Sequence, residues 1–423
     1  MPIRTQIPRR LTWRRPTPER PGVATTMTNL GNALLLKKVR TPGDSIKAKE
    51  LFTEVTKLTP SSAEAWFNLG YASSRVADTN GAISAYRKAV EIDPKYARAQ
   101  LNLGLSLQKL NKLDDAAEAL RQAAAQSPED AATWSTLGTL ELKRGDKAAA
   151  IDALETALKI EPNNYTALVN LGKAQADSGK LEAAAISYGK AADLPQGPGV
   201  APDPSARYNQ GFVLSKLGRP NDAIEAYEKA LAIKPTYFDA LVNLGVLLFK
   251  QGKYPAAVER FSKATEVDPN ADLAWSNLGA ACKKNSDVPG AISAWRKAVA
   301  LNPRDYSTRG FLANALMDKG ELKGAIAIFT EMATLQPNRA EPLVAAGNAY
   351  QKLGNLDMAF KMFERATQRS PKNAAAWNNL GVVYERRGQV AEAIISFKKA
   401  LNADPGFLPA KQNLARYPAN QRG

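Results

Sequence analysis

A period of 34 residues governs this chain. The string WFNLG at 66–70 returns as WNNLG at 377–381, and small residues recur at fixed places throughout the stretch between them. With Ala63 as position 1, repeats begin at Ala63, Ala97, Ala131, Tyr165, Pro204, Phe238, Asp272, Tyr306, Ala340 and Ala374. Every step is 34 residues except that from Tyr165 to Pro204, which is 39. A weaker copy precedes them at about 24–62, with Ala48, Phe52 and Pro60 in register and a longer loop, and a truncated one follows at 408–417. A period of this size means that each segment is one supersecondary element, which buries its apolar face only by stacking on its neighbours.

The columns of the repeat say what that element is. Position 8 is Gly in nine of the ten repeats, with Ala313 the exception, and position 20 is Ala in all ten. Position 27 is Ala in nine, with Met332 in the tenth, while position 24 is always large: Tyr, Leu, Phe or Trp. The 4-7-8-11 and 20-24-27 spacings are each one stripe of a helix, so every repeat reads as two helices. Gly near position 15 suits a left-handed end to the first helix. Pro at position 32 ends the second. Gly at 8 is expected to face Ala at 20 and let the paired helices approach, with position 24 filling the space between neighbours.

This pattern resembles the tetratricopeptide repeat family, over residues 24–417. The resemblance implies an all-α fold: a right-handed superhelical solenoid of about eleven helix-turn-helix repeats plus a truncated C-terminal helix. The expected organisation is a basic arm, 1–23; five repeats, 24–193; a Pro/Gly-rich insertion, 194–203; six repeats, 204–407; and a partial capping helix and tail, 408–423. The insertion reads either as a flex point or as a loop protruding from a rigid array.

Composition narrows the chemistry. The sequence has no histidine and one cysteine, Cys282. Imidazole acid–base work, Ser-His-Asp and Cys-His nucleophile systems, His-containing zinc sites and intramolecular disulfides are therefore excluded. No phosphate-binding Gly-rich loop occurs; GKAQADSGK at 172–180 has the wrong spacing. Asp114 and Asp115 read as solvated charges at a helix end, and Cys282, at position 11, as a packed core thiol. The expectation is no enzyme and no cofactor.

In the architecture that the resemblance implies, first helices line a concave surface into which positions 2, 5, 6, 9, 12 and 13 point. Position 6 is Asn68, Asn102, Asn170, Asn209, Asn243, Asn277 and Asn379, with Asn29 in the matching place of the first, partial repeat. Where Phe311 and Ala345 interrupt the row, Asn314 and Asn348 follow three residues later, almost one turn along the same face. A carboxamide both donates and accepts hydrogen bonds, so such a row can hold the main chain of an extended segment. It is similar in this to the array of O-linked N-acetylglucosamine transferases, whose asparagine row binds substrate backbone; that family's transferase domain has no counterpart in this sequence. The competing reading is that Asn is tolerated on an exposed helix face.

Position 13 carries Arg75, Lys109, Lys143, Lys216, Lys250, Lys284, Lys352 and Arg386, broken by Asp177 and Asp318. These cations form either a strip favouring acidic segments or complements to helix C-terminal dipoles. Phe67, Tyr71, Tyr208, Phe212 and Phe249 also fall at inner positions, as apolar pockets or as flanks of neighbouring helices.

The net charge of +16 is concentrated at the ends. Residues 1–23 hold six arginines against Glu19, and 408–423 hold three cations and no acid. Within the arm, Arg9, Arg10, Trp13, Arg14 and Arg15 are placed to clasp an anionic protein, lipid or nucleic-acid surface. The arm admits peripheral membrane association, although no apolar run approaches a membrane span. Nucleic-acid binding is the weaker expectation because the body of the chain is only mildly basic. The start of the sequence lacks a secretory pattern, so a cytoplasmic setting is expected. Two functions follow: a non-catalytic scaffold holding an extended, acidic peptide or a partner protein in its groove, or a structural subunit of a homo-oligomer or larger assembly joined through the arm and the ends of the array.

Overall fold

The computed structural model describes residues 21–37, 41–195 and 203–418. The described residues form twenty-three helices and no strand. The all-α expectation holds, repeat by repeat. Each 34-residue period is a helical hairpin, for example an A helix Ala63–Arg75 followed by a B helix Thr79–Ile92. The early copy is also a hairpin, Pro21–Leu36 with Pro42–Leu58. The last described helix is Leu408–Ala415.

The chain divides into two compact units, Met1–Gly218 and Arg219–Gly423. The division falls inside a repeat, after the A helix Ser205–Lys216; of the insertion expected over 194–203, residues 196–202 lie outside the described residues. On either side of that insertion, Ser205–Lys216 packs on Leu181–Asp193. Arg207 reaches back to Asp193, Ala206 is fully buried, and the Tyr165 hydroxyl donates to Asp203 at 2.8 Å.

Within a hairpin, the glycine of position 8 lies beneath the large side chain of position 24 in the same repeat. A Cβ added to Gly70, Gly245, Gly279, Gly347 or Gly381 would stand 2.4–2.7 Å from the Tyr86, Phe261, Trp295, Phe363 or Phe397 ring. The early hairpin repeats this contact between Gly31 and Phe52, at 2.7 Å. Position 24 thus fills the groove over its own A helix and also packs toward the next repeat, as expected, with Trp295 against Phe311 and Phe397 against Tyr417. The Ala side chains of position 20 are buried, as packed helices at this separation require.

The hairpin turn is left-handed in all ten repeats. Seven use Gly at position 15, with φ of 72–87°, and the other three use Ala77, Asn111 and Ser286, with φ of 57–64°. The backbone closure is shared: Asp146 N–H bonds Glu141 C=O and Gly145 N–H bonds Leu142 C=O, just as Asp78 bonds Ser73 and Ala77 bonds Ser74.

Successive hairpins are tied at places the periodicity alone did not reveal. The indole N–H groups of Trp66, Trp134, Trp275 and Trp377, at position 4, donate at 2.9–3.0 Å to the carbonyls of Pro60, Pro128, Pro269 and Pro371. Arg309 occupies the same position and donates to Pro303 in the same way. Cations at position 14 reach the preceding hairpin, Arg144 to Asp114 and Arg387 to Asp357. Arg144 and Arg121 also pair with the buried carboxylate of Glu141. Asp115 stands 3.7 Å from Arg87, and both acids are solvated charges at a helix start, as expected, that also face a cation.

Candidate functional site

Within each unit some successive A helices touch directly. In the first unit, Ala63–Arg75 touches Ala97–Lys109, and Ala131–Arg144 touches Tyr165–Asp177. In the second, Phe238–Lys250 touches Asp272–Lys284, and Glu341–Lys352 touches Ala374–Arg386. No two successive B helices among the described residues approach as these do. Position 8 turns toward the sister helix, and position 6 lies beside it on the A helix.

Most of the asparagine row is accordingly half-buried: Asn68, Asn102, Asn170, Asn209, Asn243, Asn277, Asn348 and Asn379. Asn29 and Asn314 are exposed. The row is not uniform in its bonding. Asn170 Nδ2 donates to Thr139 Oγ1 at 2.8 Å, and Asn379 Nδ2 to Asn348 Oδ1 at 2.9 Å. Both bonds run from position 6 to position 9 of the preceding repeat, across adjacent A helices. Asn379 also accepts from Asn378 Nδ2 at 3.2 Å, so both ends of its carboxamide are used. Asn102 turns onto its own helix, donating to the Arg98 carbonyl at 2.8 Å, and Asn243 is engaged as well. Asn68, Asn209 and Asn277 have no hydrogen bond from their carboxamides to any described residue. The neighbour decides two of these cases. Val246 stands at position 9 before Asn277 and offers no polar atom, and Lys173 stands before Asn209 with its ammonium on Asp177.

The cation row lies in the last turns of the A helices, and Arg75, Lys109, Lys143, Lys216, Lys250, Lys284, Lys352 and Arg386 are all exposed. None forms an ion pair with a described carboxylate. The two acids that break the row are each neutralised, Asp177 by Lys173 at 3.0 Å and Asp318 by Lys283 at 2.7 Å. Position 13 therefore keeps its cations unpaired while the two acids that break the row are paired. The helix-end location satisfies the dipole reading too, and the two roles are compatible.

Aromatic side chains interleave with these groups. Phe67 stacks on Tyr71 and Tyr208 on Phe212, each pair 6.5 Å between centroids. Tyr71 is 38% exposed and Phe212 41%. Phe67 is buried against Tyr86 and Tyr96, with Arg98 over its ring at 4.8 Å, so this aromatic packs between helices. Phe249 packs edge-on against Tyr254. Cys282 is buried, and burial pushes its thiol above its ordinary range, in keeping with a packed thiol.

Arg9, Arg10, Trp13, Arg14 and Arg15 of the arm lie outside the described residues. Among the described residues, no helix is long and apolar enough to cross a membrane.

Family models agree with this architecture. Tetratricopeptide-repeat family models match residues 78–111, 98–130, 135–201, 214–282, 283–340 and 344–406. A search of curated proteins found no match. Among solved structures, the crystal structure of MamA protein is 26% identical, with a TM-score of 0.39 over 43% of this chain and 96% of that one. YrrB, described as a TPR protein with an unusual peptide-binding site, is 23% identical, with a TM-score of 0.39 over 45% and 97%. The C-terminal part of a TPR repeat-containing protein from Cytophaga hutchinsonii is 17% identical, with a TM-score of 0.46 over 66% and 99%. With helical hairpins at the expected period and repeat models matching most of its length, the chain belongs to the tetratricopeptide repeat family.

Proposed function

We propose that this chain is a non-catalytic scaffold that holds an extended segment of a partner protein along its A-helix faces. The family supplies the coarser part, since arrays of this repeat are protein-interaction modules that present extended surfaces. The observation that carries the finer part is the coexistence of half-buried, unbonded carboxamides at Asn68, Asn209 and Asn277 with a parallel row of exposed, unpaired cations. These carboxamides keep their hydrogen-bonding groups open to solvent, and a peptide main chain supplies both the donor and the acceptor that a carboxamide needs. The cations add attraction for acidic side chains on that segment and accelerate its encounter.

Affinity capture with the full chain tests this reading. The combined variant Asn68→Ala, Asn209→Ala and Asn277→Ala should lose the proteins that the wild type retains, with unchanged helicity. Retention of the same proteins by the variant would refute it.

Assembly with further copies of the chain is a second reading. It is favoured by exposed apolar side chains on the first hairpin, Leu30 at 49%, Leu36 at 81% and Ile46 at 51%. Light scattering on the full chain and on a form lacking 1–23 separates the two, since a monomer in both forms rejects assembly.

A further inference from the structure

Two of the A helices in the first unit carry the same local arrangement, and the three between them do not. FNLGYASSR at 67–75 and YNQGFVLSK at 208–216 each place an aromatic at position 5, Asn at 6, a second aromatic at 9 and a cation at 13. The structure makes the likeness physical. In both, the two rings stack with centroids 6.5 Å apart and interplanar angles of 13° and 24°. In both, the outer ring, Tyr71 or Phe212, is more than a third exposed. In both, the carboxamide beside the rings is unbonded and the cation four residues after the outer ring has no carboxylate; Lys216 lies 4.5 Å over the Phe212 ring. In the intervening repeats Asn102 and Asn170 are tied within the protein, Thr136 replaces Asn, and position 9 is Leu105, Thr139 and Lys173.

We infer that these are paired anchor sites, and that the first unit selects an acidic, extended partner segment bearing two apolar side chains about ten to twelve residues apart. The inference rests on the groove reading above and specifies the partner. The spacing follows from helix packing. Two of the four steps from Ala63–Arg75 to Ser205–Lys216 are direct contacts between A helices, and taking the packed-helix spacing of about 8–10 Å for each step gives a span of roughly 32–40 Å. An extended segment covers about 3.3 Å per residue, which gives about ten to twelve residues between anchors. The acidity follows from the face itself. Its inner positions carry Arg75, Arg98, Lys109, Lys143 and Lys216 against Glu64, while Lys173 and Asp177 neutralise each other at 3.0 Å. Carboxylates between the two anchors meet Lys109 and Lys143. Each apolar side chain seats on a ring that is half open to solvent, with the neighbouring carboxamide on its backbone.

Fluorescence anisotropy of labelled synthetic peptides on the full chain tests this. The probes are Glu/Ser/Gly peptides of about sixteen residues, with two Phe eleven positions apart, two Phe four positions apart, or none. The widely spaced peptide should bind at least about tenfold tighter than the others, because both anchors engage one molecule. Tyr71→Ala and Phe212→Ala should each abolish that advantage. Tyr71→Gln and Phe212→Gln, which keep a long polar chain at these exposed sites, should do the same. Equal affinity for all three acidic peptides, or an advantage that survives these variants, overturns the paired anchors and leaves the groove reading standing. Failure of every acidic peptide to bind overturns both.

Discussion

The Nδ2 of Asn379 donates to the Oδ1 of Asn348 at 2.9 Å, joining the A helices of two successive repeats. A residue expected to face a guest thus serves the array's own packing. The same side chain at Asn277 has no such partner, because Val246 stands where Asn348 does. Asn379→Ala should therefore lower stability by about 1 kcal/mol, the usual net worth of a hydrogen bond. Asn277→Ala should leave stability within about 0.5 kcal/mol of the wild type. Urea-melting midpoints of the two variants check this contrast.

Gly138 and Gly310 make a second pair of opposites. A Cβ on Gly138 would lie 2.5 Å from Leu154 Cγ and 3.1 Å from the Ala150 carbonyl, and the latter is backbone and cannot step aside. On Gly310 the nearest atom is the flexible Met332 Cε, at 3.5 Å. Gly138→Ala should cost about 1–3 kcal/mol through overpacking. Gly310→Ala should gain about 0.5–1 kcal/mol from helix propensity. Thermal melts of both proteins give the two signs.

Ala77 holds the left-handed turn at φ 61°, where seven other repeats use Gly. A Cβ in that region costs roughly 1–2 kcal/mol, partly offset by the entropy that Gly loses on folding. Ala77→Gly should raise stability by about 0.5–1 kcal/mol. Gly145→Ala, at φ 87°, should lower it by a similar amount. Calorimetry on each variant reads the result.

The Tyr86 hydroxyl is buried without a hydrogen-bond partner, and burial pushes the phenol up to about 12. Tyr188 and Tyr417 are also raised to about 12, chiefly by burial. The folded state holds these protons more tightly than the unfolded chain, whose tyrosines ionise near pH 10. Their contribution to stability is fully present below pH 10 and is lost as the pH rises toward 12. Tyr86→Phe should be neutral or stabilising at pH 7 and should flatten the fall in melting temperature above pH 10. Position 24 is Phe in four other repeats, at 261, 329, 363 and 397, so the ring itself fits. Melting curves at several pH values between 8 and 11.5 provide the measurement.

The hairpins were legible because their demands are steric and recur. Gly70 under Tyr86, Gly381 under Phe397 and the buried Ala column allow little else, so the pattern shows in a single chain. The left-handed turn was only partly visible, since Ala77, Asn111 and Ser286 adopt the geometry without the residue that announces it. The bonds from Trp66 to Pro60 and from Trp377 to Pro371 were hidden because the acceptor is a main-chain carbonyl, which every residue carries. The asparagine row was legible as a row but not as a set of sites. Whether Asn170 or Asn277 has a partner depends on one residue of the preceding repeat and on the contact between two A helices.

The central claim is that a partner lies along the A-helix face, and site-resolved cross-linking to a captured partner tests it most directly. A photo-cross-linking residue replaces Asn277 on the A helix Asp272–Lys284 in one full-length protein, and exposed Lys297 on the B helix Val288–Leu301 in another. Partner cross-links should form from position 277 and be absent from position 297. Cross-links from 297 with none from 277 would place the partner on the outer helices and contradict the account.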